Sequence, residues 1–182
     1  MREVELRRHA AREKDADALS PQGRAQAEEM GRTLPGGYAA AFVSPAHRAA
    51  ETAALFLKAS GQPLPPPAVV PGLASEREDE WRAAAKAAGT SRIDAVLGQD
   101  ARLVEEDSAR LAKAVEELFD RIPEEARALA VGHSPTIEAA VYALTGSIIE
   151  PLSECEGVLL VQSEGGYRMR ELRLPPAVSA PS

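Results

Sequence analysis

The sequence predicts an α/β fold with a largely parallel sheet and a C-terminal hairpin. Three observations carry this. Strand-like and helix-like segments alternate along most of the chain. Serine–proline pairs, Ser20-Pro21 and Ser44-Pro45, stand where helices should begin. Two apolar segments near the C-terminus are joined by Glu164-Gly165-Gly166, a hairpin signal. The 182 residues, 45% hydrophobic and 27% charged, suit one soluble domain, placed at residues 1–174, with a disordered tail at 175–182. A chain of this size hides roughly 70% of the surface it would expose unfolded, enough for a core without disulfides or a structural metal.

The elements follow in order. Val4 and Leu6 alternate with charged residues, so residues 2–8 read as a short strand. Ser20 caps a helix running to about Leu34, with Pro21 at its first position; Ala25, Met30 and Leu34 line one face, and Pro35-Gly36-Gly37 ends it. Residues 38–43 read as a buried strand, and Ser44-Pro45 opens a second helix to about Ser60, stopped by Gly61. Pro63, Pro65, Pro66, Pro67 and Pro71 make residues 61–72 an irregular connection, within which Val69-Val70 can add a short strand. Residues 75–97 are charged and alanine-rich, which predicts one or two surface helices. Leu103, Leu111, Val115, Leu118, Phe119 and Ile122 recur at helical spacing until Pro123 breaks the pattern. Residues 127–131 read as a strand entering Gly132-His133-Ser134-Pro135, then 136–144 as a helix ending at Gly146. Residues 156–163 and 167–174 form the hairpin, and no internal repeat is present.

Composition narrows the function. A net charge of -7, from 21 basic and 28 acidic residues, argues against nucleic acid and anionic membranes as partners. An anionic ligand would need a local cluster of basic side chains. The single cysteine, Cys155, allows no internal disulfide and no Cys-based zinc site, and it reads as a small buried residue. His9, His47 and His133 leave little material for a metal. No apolar run resembles a signal peptide or approaches the roughly 20 residues of a membrane span, so the expected location is the cytoplasm.

In parallel α/β sheets the carboxyl ends of the strands form the ligand crevice. Three strand ends carry polar residues: Arg8-His9, Ser44 to Arg48, and His133-Ser134. Arginine offers a planar fork of donors that matches phosphate oxygens. Taken alone, Arg8-His9 is more simply an exposed basic strand end. Arg48 falls in the first turn of a helix, where a cation is unfavourable unless an anion is bound, although arginines there are common. His47 should point to the surface. Ser134 invites comparison with the nucleophile elbow G-x-S-x-G, but Thr136 stands where the second glycine belongs.

Together the fragments say more than each alone. Arg8-His9-Ala10 resembles R-H-G, and Leu19 to Ala27 resembles L-T-P-x-G-x-x-Q-A. Ser44 to Ala53 matches S-P-x-x-R-A-x-E-T-A at every defined position, and Gly132-His133 supplies the later G-H. In this order and spacing, from about residue 2 to 145, the chain resembles the histidine phosphatase superfamily, the phosphoglycerate mutase-like proteins. The resemblance implies a three-layer sandwich, a mostly parallel central sheet with helices on both faces and the terminal hairpin. It implies a phosphatase without metal or cofactor, in which His9 becomes a phosphohistidine that water hydrolyses. Arg8, Arg48, His133 and Ser134 would hold the phosphate, with His133 as a cation. The substrate would be a phosphorylated small molecule or a phosphoprotein. Mutase-type phosphoryl transfer and a non-catalytic phosphate-binding relative are the alternatives, and the sequence does not address the oligomeric state.

Two departures stand out. Ala10 replaces the glycine after the nucleophile, a small and tolerable change. Placing Leu73 and Trp81 on the family's acid segment puts Ser75 where a glutamate is expected, with Glu76 beside it and Glu78 and Glu80 beyond. Glu76, reached by a one-residue slip, is the candidate catalytic acid, with Glu78 or no carboxylate at all as the alternatives; the bland reading of this cluster is a solvated helix face. A missing acid would resemble the SixA-type phosphohistidine phosphatases, whereas the tryptophan segment resembles the small-molecule phosphatases.

Overall fold

The computed structural model describes residues 1–62 and 66–175. Six strands form one sheet: β1 Arg2–Arg8, β2 Tyr38–Val43, β3 Ala68–Val69, β4 Arg127–Gly132, β5 Gly157–Ser163 and β6 Gly166–Leu172. Their order is β3-β2-β4-β1-β5-β6. The β3–β2, β2–β4 and β4–β1 ladders are parallel, while β1–β5 and β5–β6 are antiparallel. The sheet is therefore mostly parallel and ends in the expected hairpin. Among the described residues six α-helices accompany it: α1 Pro21–Thr33, α2 His47–Ala59, α3 Glu78–Ala88, α4 Ile93–Gln99, α5 Ala101–Asp120 and α6 Thr136–Thr145.

Strand alternation divides the core. On β4, Ala128 and Ala130 join a cluster with Leu111, Val115, Leu118 and Ile137 of α5 and α6. Leu129 and Val131 point the other way, to Ala27, Ala53, Phe56 and Leu57 of α1 and α2. Helices thus cover both faces, and central strands are buried on both sides. This changes the meaning of the charges on β1. Glu5 and Arg7 are buried, not solvated: Arg7 Nε donates to Glu5 Oε1 at 2.8 Å, and the Tyr38 hydroxyl donates to Glu5 Oε2 at 2.8 Å.

Four local expectations need correction. Ser20 caps α1, accepting from Gly23 N at 3.0 Å, but Ala25 is exposed. The buried face is Gly23, Ala27 and Gly31, because α1 packs too closely for larger residues: a Cβ at Gly31 would lie 2.8 Å from Phe56 O. Ser44 does not cap α2, which begins at His47; its hydroxyl is engaged by His133 instead. α3 and α4 are not merely surface helices, since Trp81, Ala84, Ile93 and Val96 are buried in the core. The short strand Ala68–Val69 lies one residue before the Val69-Val70 pair. Of the proline-rich connection, residues 63–65 lie outside the described residues, as does the tail from 176 to 182.

Candidate active site

The parallel register brings the polar strand ends together. Arg8 on β1 lies opposite Gly132 on β4, and Val43 on β2 lies opposite Val131. The ladders continue one step beyond, with His9 N donating to Gly132 O at 3.0 Å and Ser44 N to Val131 O at 3.1 Å. Adjacent strand ends thus deliver Arg8-His9, Ser44 and His133 to one rim. Arg48, in the first turn of α2, reaches in beside them.

The protonation pattern follows from geometry. His9 Nδ1 lies 2.7 Å from Ala10 O, so it carries the hydrogen and leaves Nε2 with a bare lone pair. Arg48 Nε donates to that nitrogen at 3.2 Å. Arg48 Nη2 lies 3.1 Å from His133 Nδ1, and a guanidinium can only donate, so Nδ1 is an acceptor. The hydrogen of His133 is then on Nε2, donated to Ser44 Oγ at 2.7 Å. The two rings meet edge to face with centroids 5.2 Å apart.

Burial lowers both imidazoles, His9 to about 4 and His133 to about 3. For His9, the Ala10 carbonyl opposes this, while Arg48 and Arg8 add to it. For His133, Arg48 is the next cause. With no phosphate bound, desolvation and the facing guanidinium thus favour neutral His133; the cation expected from the resemblance belongs to the phosphate-bound site.

Other residues fix this arrangement. Thr52 Oγ1 accepts from Ala10 N at 3.1 Å and donates to Arg48 O at 2.7 Å, tying the loop after His9 to α2. Glu51 accepts from Leu19 N at 2.9 Å and from Arg24 Nε at 2.6 Å. Both stand in the matched segment Ser44 to Ala53, so the signal was present, but their work was not read from it. Asp17 was not anticipated. Its carboxylate accepts from His47 N at 2.8 Å and Arg48 N at 3.2 Å, and pairs with Arg48 Nη1 at 2.8 Å. The protein itself thus supplies an anion for the cation in the first turn of α2. His47 is exposed, as expected.

These groups border a cavity of about 400 Å³, lined by Arg8, His9, Arg48, His133 and Ser134, with Arg12, Ser75, Glu78, Trp81, Arg82 and Glu154 among its walls. Arg8 Nη1 donates to Leu152 O at 2.5 Å and Nη2 lies 3.7 Å from Glu154. Arg8 Nε is buried and has no partner among the described residues. Glu76 does not line the cavity; it is exposed on the far side of the turn leading into α3. Ser75 is held by Asp107 at 2.6 Å, which also accepts from Trp81 Nε1 at 2.7 Å. That anchoring points residue 75 inward and turns Glu76 out, so Glu78 is the α3 carboxylate at the cavity. Glu80 pairs with Arg77 at 2.6 Å. The Ser134 hydroxyl donates to Glu138 Oε1 at 2.5 Å, so its hydrogen is directed to that carboxyl, not to the cavity.

A bare imidazole nitrogen beside one guanidinium, with a second lining the same cavity, is matched to a tetrahedral oxyanion. Among the described residues, no group of three or more His, Cys, Asp or Glu side chains is arranged to hold a metal ion, and no helix is long and apolar enough to cross a membrane.

The fold and the site define an α/β protein with a histidine–arginine pocket at the carboxyl rim of its sheet. A family model for the histidine phosphatase superfamily (branch 1) matches residues 3–157, and the chain belongs to that superfamily. Solved structures share its fold. Phosphoglycerate mutase from Bacillus anthracis str. Sterne is 20% identical, with a TM-score of 0.71 over 93% of this chain and 91% of that one. Phosphoserine phosphatase from Entamoeba histolytica is 15% identical, with a TM-score of 0.68 over 97% and 98%. The protein histidine phosphatase SixA, complexed with tungstate, is 20% identical, with a TM-score of 0.60 over 94% and 96%. No curated protein matches the sequence.

Proposed function

We propose that the protein is a phosphatase that needs no metal and hydrolyses a phosphomonoester or a phosphohistidine through a covalent phosphohistidine on His9. The observation that carries this is the His9 ring itself. Its tautomer is set by the Ala10 carbonyl, and its bare Nε2 shares the Arg48 guanidinium with His133. Membership of the histidine phosphatase superfamily supports the same reaction class, as do neighbours described as a mutase, a phosphoserine phosphatase and a protein histidine phosphatase.

Arrival of the phosphoryl group shifts the Arg48 N–H groups from the two imidazoles onto non-bridging oxygens, joined there by Arg8. The His9 Nε2 lone pair then attacks phosphorus while the bond to the leaving group breaks. For an alkyl ester, Glu78 in its acid form gives the leaving oxygen its proton. Water next attacks phosphorus, the P–N bond breaks and returns the lone pair to Nε2, and the Glu78 carboxylate takes the water's proton. Inorganic phosphate leaves. Arg8 and Arg48 stabilise charge on the equatorial oxygens of a loose, in-line transition state, and His133 takes up a proton as the dianion binds and becomes a further donor. A phosphohistidine or aryl ester has a better leaving group and depends less on Glu78.

The test is phosphate release in the presence of EDTA from an aryl phosphate, an alkyl sugar phosphate and phosphohistidine. The parent should turn over at least one of them and His9→Ala none. Glu78→Gln should slow the alkyl ester about 10²-fold or more, whereas Glu76→Gln leaves all rates near the parent's. A parent without turnover, or a His9→Ala variant equal to it, would sink the assignment; tight phosphate binding without turnover would identify a binding relative.

A further inference from the structure

α6 begins directly after His133-Ser134-Pro135, and its first turn carries Glu138, a carboxyl in the otherwise uncharged helix Thr136–Thr145. This side chain is 1% exposed. Its Oε1 accepts two hydrogen bonds, from Ser134 Oγ at 2.5 Å and from Leu152 N at 2.8 Å. Its Oε2 is buried and has no partner among the described residues. A buried polar atom left without a partner is costly, so a fold that retains one calls for an explanation.

Both donors connect to the site. Ser134 adjoins His133 and lines the cavity. Leu152 is held by Glu138 at its N–H, and its carbonyl accepts from Arg8 Nη1. Glu138 therefore joins the end of β4, which carries His133, to the loop that sets where the Arg8 guanidinium lies.

We propose that Glu138 is a positioning residue that fixes Arg8, through Leu152, against the strand end carrying His133, and so sets the spacing of the phosphate clamp. The inference rests on the reading of that clamp as a phosphoryl site. Burial pushes the Glu138 carboxyl up, against opposing pulls from Leu152 N, Ser134 and Arg8. The neutral acid is thereby favoured, and glutamine is a fair mimic of it: its carbonyl can still accept from Leu152 and Ser134.

The experiment measures kcat, KM and inhibition by inorganic phosphate and orthovanadate, with thermal unfolding followed separately. Glu138→Ala should weaken inhibition by both oxyanions about tenfold and lower kcat/KM up to about 10²-fold, the scale of a small misplacement of a binding group. Glu138→Gln should recover most of that loss. In an Arg8→Ala background, Glu138→Ala should cost almost nothing more, since the group it positions is gone. Should Glu138→Ala fail to fold, Glu138→Gln and Ser134→Ala are compared instead. Ser134→Ala should then raise the oxyanion inhibition constants a few-fold, and Glu138→Gln should raise them less. A folded Glu138→Ala with parental inhibition constants, losses additive with Arg8→Ala, or a Ser134→Ala variant indistinguishable from the parent would each overturn the proposal. An inactive parent would instead defeat the phosphatase reading.

Discussion

Arg7 and Arg8 are consecutive residues of one strand, yet the fold treats their charges in opposite ways. Arg7 faces the α1–α2 side, where Nε donates to Glu5 Oε1 at 2.8 Å and Nη1 to Cys155 O at 2.9 Å. The other oxygen of Glu5 takes the Tyr38 hydroxyl, so the cluster is closed and every charge is answered from within. Arg8 faces the rim. It has one backbone acceptor, a carboxylate 3.7 Å away and a buried Nε with no partner among the described residues. Close by, the Arg48 guanidinium donates to two imidazole nitrogens and one carboxylate. A matched buried charge maintains the fold; a surplus of donors around a bare nucleophilic nitrogen is what a reaction on an oxyanion requires.

The sharpest way to break this contrast is to delete each arginine in turn. Arg7→Ala strands Glu5 in the core, and breaking a buried pair costs about 3–5 kcal/mol. It should appear as a large fall in unfolding midpoint, with kcat/KM per folded molecule little changed. Arg8→Ala should do the reverse, costing about 2.7–4 kcal/mol of barrier, or 10²–10³ in kcat, with a minor change in stability. Similar losses of stability in both variants would erase the distinction.

A second effect separates the two clusters by pH. His9 and His133 are lowered by burial, to about 4 and about 3, from an ordinary value of 6.5. Between those values and 6.5 the unfolded chain binds more protons than the folded one, so stability rises with pH across that window. Their contribution is fully present above pH 6.5 and is lost as pH falls through 4 towards 3. His9→Gln and His133→Gln should each flatten the acid side of the stability curve by a few kcal/mol. NMR titration of the ring nitrogens should show both neutral at pH 6; a midpoint near 6.5 for either would contradict the pocket's electrostatics.

These pairs also show how far the sequence could be read. The elements were legible because caps, prolines and apolar spacing are local. Arg8, His9, Arg48 and His133 were legible because each lies in a short motif at a strand end. What escaped depended on tertiary placement. The alternation on β1 marks a strand but not the surroundings of its charges, and only its central position makes Glu5 and Arg7 a buried pair. Glu76 was favoured by adjacency to Ser75, yet the grip of Asp107 on Ser75 and Trp81 decides which carboxylate reaches the cavity. Glu138 did leave a trace, a carboxyl within an apolar helix, although its partner Leu152 is 14 residues away. Asp17 left none, because it lies on a polar loop whose partners are 30 and 31 residues distant.

Asp17 offers the finest test, because it belongs partly to each kind of cluster. It answers two backbone N–H groups, as a structural cap does, and it also pairs with a guanidinium assigned to the phosphate. Replacement by alanine removes both roles and should cost about 1 kcal/mol of stability. Asp17→Asn keeps one oxygen, which can still accept from Arg48 N and Nη1, but loses the charge and the second oxygen that accepts from His47 N. The side chain is 49% exposed, so its pull on Arg48 is screened to about 0.2–1 kcal/mol. If the carboxylate competes with phosphate for Arg48, Asp17→Asn should cost less stability than Asp17→Ala, since one of its two N–H acceptors survives, and tighten phosphate inhibition roughly two- to threefold. Weaker inhibition would mean that Asp17 orients Arg48 for the substrate instead of competing with it, and the boundary between matched and surplus charge would then run outside Asp17.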